Sequence, residues 1–176
     1  MDIKELTKER FEILSTLEQE YIKEMIPVQL LKKEENGADV LTVFLSGIAE
    51  DGLESIGEFF FHENEEDDQV QFFVNLITIA EELPDEHLND LCIAIAAINA
   101  YIITGAFAID FSNKSLIYKH TYEMPLPLDK EKLHDNLDLS MGVAYQMVRD
   151  YGYMLVEVNE GRRSVQSVVN YFLQRD

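Results

Sequence analysis

Apolar positions change their spacing along this chain, and each change predicts an element. From the N-terminus to about Met25, Leu6, Ile13, Leu14, Leu17 and Tyr21 share one side and charges fill the rest. That is the pattern of an amphipathic helix, and Pro27 ends it. Two short apolar runs follow, near Val28–Lys32 and Val40–Leu45, with Asn36-Gly37 between them. The dipeptide is a hairpin signal because both residues tolerate positive φ. SGIAEDGLES reads as a loop from its glycines and polar residues. A second hairpin is predicted from IGEFFFH, the polar run ENEEDD and QVQFFVNLITI, and a third from FAIDFSNKSLIYKHTY, turning at Ser112-Asn113-Lys114.

The chain then returns to helical spacing. MPLPL is extended because Pro125 and Pro127 forbid a continuing helix. Asp129 is read as the cap of a helix to about Tyr151, with Leu133, Leu137, Met141, Ala144 and Val148 on its core face. YGYMLVEVNEG reads as a connector that adds a short strand. The last helix places Val165, Val168, Val169 and Phe172 at i, i+3, i+4 and i+7.

Leu91 to Ile109 is a run of nineteen residues without a charge. Its length approaches that of a bilayer span, but six alanines, Asn99 and acidic flanks argue against one. The better parse is a helix opened by Pro84-Asp85 and running to about Ile102, with Gly105 marking its end. It is apolar on nearly every side, which predicts a central, largely buried helix. After Gly105 the period becomes two, with Phe107, Ile109 and Phe111 facing one way and Ala108 and Asp110 the other. Strands joined by hairpins and separated by single helices define the α+β class. The expected architecture is an antiparallel sheet of about five to six strands with a central buried helix and flanking N- and C-terminal helices. At 176 residues, a single domain over 1–176 is expected.

Composition narrows the partners. Acids outnumber bases 34 to 14, a formal net charge of -20. Such a surface repels phosphate backbones and anionic lipid, so neither nucleic acid nor a membrane surface is the expected partner. The one cysteine, Cys92, falls in the apolar run and reads as a buried inert thiol. Together with a start that lacks a signal-peptide pattern, this points to the cytoplasm.

Signatures of catalysis are missing: there is no G-x-G-x-x-G, Walker loop, G-x-S-x-G or H-E-x-x-H. His62, His87, His120 and His134 lack the spacing of a local metal pair. The run Glu63 to Gln69 is too short for a calcium loop and has no glycine, so it reads as a solvated turn. No catalytic, cofactor or metal residues are assigned. The second hairpin is more informative, because both of its faces carry apolar groups. Val70, Phe72, Val74 and Leu76 make one face; Phe73, Ile77 and Ile79 share the other with Gln71 and Asn75. On the partner strand Phe59 and Phe61 alternate with Phe60. Either helices cover part of both faces, or one face holds an aromatic patch that a partner covers. That partner is a second copy or another protein's extended segment. Phe59, Phe61, Phe73 and Ile77 are the candidate contact residues. The alternative is a small-ligand-binding protein or enzyme with a pocket between sheet and helices, using Tyr118, His120 and Asp110.

The block from Leu83 to Leu126 resembles the YbjN-like proteins, which share the type III secretion chaperone-like fold. The residues that carry the likeness are Ile98-Asn99 at a helix end, then Gly105-Ala106-Phe107-Ala108-Ile109-Asp110, then Leu116-Ile117-Tyr118. The resemblance implies a small, acidic, bacterial, cytoplasmic protein without catalytic residues. Relatives by fold are mostly homodimers that bind a segment of another protein. The expected function is therefore a non-enzymatic protein-binding module, chaperone-like or regulatory, acting as a homodimer.

Overall fold

The computed structural model describes residues 3–46, 54–62, 70–125 and 130–174. The polar run at 63–69, most of the SGIAEDGLES loop and the Asp129 cap lie outside them. The chain opens with α1 (Ile3–Lys23), which stops short of Pro27 at Met25, a residue of positive φ. β1 (Val28–Leu31) and β2 (Val40–Leu45) pair antiparallel, Leu30 opposite Leu41. Between them lies a helical turn, α2 (Lys33–Asn36), rather than a two-residue hairpin turn. Only Gly37 takes positive φ there, and its N–H closes the turn on the Lys33 carbonyl at 2.8 Å.

β3 (Ser55–His62) and β4 (Val70–Ala80) follow. A 3₁₀ turn at Asp85–His87 leads into α3 (Leu88–Asn99), then β5 (Ala106–Asp110) and β6 (Ser115–Pro125). Among the described residues the strands form one six-stranded antiparallel sheet in the order β1-β2-β3-β4-β6-β5. The α+β architecture with terminal helices is the one the apolar spacing predicts. Packing divides the chain into two units. The first holds Met1–Leu45, Ile56–Leu76 and Thr121–Val143; the second holds Ser46–Ser55, Ile77–His120 and Ala144–Asp176.

In the first unit, α1 and the start of α4 (Lys130–Met147) supply Ile13, Leu14, Leu17, Leu133, Leu137 and Met141 to one core. The strands meet them with every second residue: Leu41 and Val43, Phe59 and Phe61, Phe73, Met124. In the second unit, α4 continues through a π-helical turn at Val148–Gly152 into α5 (Tyr153–Asn159). YGYMLVEVNEG is therefore helical, not a strand. Gly152 fits because a Cβ there would press on the Val148 side chain at 3.2 Å, with Ile79 at 3.7 Å. Met154, Leu155, Val156 and Val158 are all buried, so packing overrides the strand preference of the two valines. α6 (Val165–Leu173) is capped by Ser164 and buries Val168 and Phe172.

α3 packs against β5, α5 and α6 of the same unit. Its burial is one-sided: Leu91, Ala94, Ile95 and Ile98 are inside, whereas Cys92, Ala96 and Ala100 are exposed and Ile93 keeps 45% of its surface in water. The expectation of a helix buried nearly all round fails on that arc, and Cys92 is an exposed thiol. The helix also ends at Asn99 rather than Ile102, because the Asn99 carboxamide turns to the next strand. Its Nδ2 donates to the Phe107 carbonyl and its Oδ1 accepts from the Phe107 N–H, both at 2.9 Å. Gly105, at φ +63, starts β5 and does not end the helix. A Cβ there would run into the buried Tyr118 hydroxyl and lie 2.9 Å from the Lys119 carbonyl. Among the described residues no helix is long and apolar enough to cross a membrane.

Candidate interaction surface

Phe59, Phe61, Phe73 and Ile77 are all buried. The four residues expected at a contact surface are core residues, and the hairpin presents its other face. Their burial follows from what β4 places beside them. Gln71 and Asn75, on the same side of the strand as Phe73, are themselves buried against helices. Arg10 of α1 donates from Nε to Gln71 Oε1 at 2.7 Å, and its Nη2 approaches the same oxygen. Asn75 Nδ2 donates to Ser140 Oγ of α4 at 2.9 Å. The two amides that share a face with Phe73 are polar anchors between sheet and helices. They bring Phe73 inward with them; its ring lies 5.2 Å from that of Phe61.

Side chains alternate along a strand, so burying one set of the first unit's positions presents the other. On that second face Val74 and Thr42 are buried and Phe60, Phe72 and Leu76 half-buried. Phe44 and Ile56 stand out, 48% and 40% exposed. Both long helices of this unit bond to the opposite face of β4, so neither lies over these residues. Among the described residues of this unit, Glu58, half-buried, and Glu123, exposed, lie on that face. On the second hairpin itself Phe60 and Phe72 are half-buried, and among the described residues Ile56 is its exposed apolar residue on this face.

On each outer strand of the sheet one residue is bonded by a side chain. In the first unit, the Leu30 N–H of β1 donates to a Glu18 carboxylate oxygen of α1 at 2.8 Å. In the second, Asn99 occupies both backbone groups of Phe107 on β5. These bonds occupy one outward N–H of β1 and both backbone groups of one residue of β5.

The residues of the alternative site separate. Phe107 pairs with Tyr118 across β5 and β6, their ring centres 5.0 Å apart, and Asp110 pairs with Ser115. Asp110 is three positions from Phe107, so it lies on the opposite face from Tyr118. Its carboxylate holds the turn, accepting from the Ser112 N–H and the Asn113 amide at 2.9 Å each. Tyr118 is buried and donates to the Thr104 carbonyl at 2.9 Å; burial pushes its hydroxyl up to about 12. His120 shares the Tyr118 face, is half-buried, and burial lowers its imidazole below the usual histidine range. Phe111, expected to face inward with Phe107, lies in the turn and is 71% exposed. Among the described residues no three His, Cys, Asp or Glu side chains are grouped to hold a metal ion.

The geometry defines an α+β chain whose first unit has one helix-covered sheet face and an opposite face on which Phe44 and Ile56 are exposed. No family model and no curated protein matches the chain.

Proposed function

We propose that the chain is a non-enzymatic protein-binding module, chaperone-like or regulatory, of the YbjN-like kind. The observation that supports this is the open sheet face of the first unit. It carries the exposed apolar side chains Phe44 and Ile56, and lies opposite both helices that build the core. A face of this kind on a soluble surface marks an interaction site. The acidic surface, with net charge -20, favours a protein over nucleic acid or anionic lipid. We further propose that the module acts as a homodimer in the cytoplasm. The exposed apolar residues of α3, Ile93 and Ala96, favour self-association, with Asp90 exposed at the edge of the same surface.

The test is capture from native extract with three baits: the native chain, Phe44→Asp and Ile56→Asp. Both substituted positions are exposed, so circular dichroism should match the native chain. A protein retained by the native bait and lost from both variants supports the reading. Equal recovery on all three baits overturns it.

A further inference from the structure

We draw no further inference here: the strongest candidate, the exposed apolar patch of the second unit where Tyr101 beyond α3 and Tyr171 of α6 meet the ring of Phe172, carries nothing because nothing in the structure shows what covers it.

Discussion

Replacing Asn99 by alanine removes the two hydrogen bonds that join the end of α3 to β5. Both bonds measure 2.9 Å and both end on Phe107, whose side chain is buried. A backbone group left without a partner costs about 1–3 kcal/mol when water cannot replace it. Asn99 is half-buried, so water reaches part of the gap, and the two losses together should come to about 2–4 kcal/mol. For a chain of this length that corresponds to a midpoint lowered by roughly 4–16 °C. Urea unfolding followed by far-UV circular dichroism measures the loss, and amide exchange at Phe107 should accelerate in step. Asn99→Asp adds a signature that simple loss of packing cannot produce. Its carboxyl keeps the acceptor for the Phe107 N–H, but when ionised it turns an oxygen toward the Phe107 carbonyl. Folding then favours the protonated form, which raises the folded pKa above the value of about 4 for an unfolded aspartate. Relative to the native chain, Asn99→Asp should therefore be most stable below about pH 4 and lose ground as pH rises through the folded value. An Asn99→Ala variant within about 0.5 kcal/mol of the native chain would refute the reasoning, as would an Asn99→Asp deficit independent of pH.

Gly105→Ala should destabilise by more than about 3 kcal/mol, because its φ of +63 is strained for alanine and the new Cβ runs into Tyr118. Thermal unfolding checks this, and a loss below about 1 kcal/mol would contradict the packing described. Tyr118 ionises in the unfolded chain near 10 but only near 12 when folded, so its stabilisation is complete below about pH 10 and fades as pH rises through 12. The native chain should lose about 2–3 kcal/mol over that window relative to Tyr118→Phe, in paired denaturant titrations at pH 9 and 12. Phe73→Ala should cost about 3–5 kcal/mol, with Phe72→Ala costing clearly less, because one ring fills the core and its neighbour lies on the open face. Equal losses in chemical unfolding would mean that the faces are misassigned.

The elements were legible because their spacing is clean. Leu14, Leu17, Leu137 and Ala144 recur at helical intervals and are buried as those intervals require. The misreadings share one cause: a local signal was overridden by a contact far along the chain. YGYMLVEVNEG looks extended from its tyrosines, glycine and valines, yet α5 follows a π-helical turn and buries Met154, Leu155, Val156 and Val158. Asn36-Gly37 marks the right place, but only the glycine needs positive φ, and the loop closes as a helical turn. The open arc of α3 was invisible because alanine and isoleucine are equally at home inside and out, and only β5, α5 and α6 decide which side they cover.

The choice of face on the second hairpin shows how far period-two reasoning reaches. Alternation in β4 sorts Phe72 from Phe73 without ambiguity, but it does not say which set is inside. Gln71 and Asn75 tip the sequence argument toward placing the Phe73 set in water, since amides are more often exposed. The outcome is the reverse because each amide has a partner from a helix: Arg10, 61 positions away, and Ser140, 65 positions away. A buried amide with a bonded partner costs little, whereas an unbonded one would cost several kcal/mol, about as much as burying an extra phenylalanine gains. The face of the sheet is thus decided by two polar pairs whose separation in sequence hides them. Arginine in a helix stripe that is otherwise apolar was the available sign: Arg10 lies beside Leu6, Ile13, Leu14 and Leu17 on α1 and is buried with them. A guanidinium placed there demands an acceptor from the sheet, and Gln71 sits among the residues that could answer. Once that pair is granted, Phe59, Phe61, Phe73 and Ile77 must be core. Phe44, Ile56 and Phe60 then fall on the opposite face.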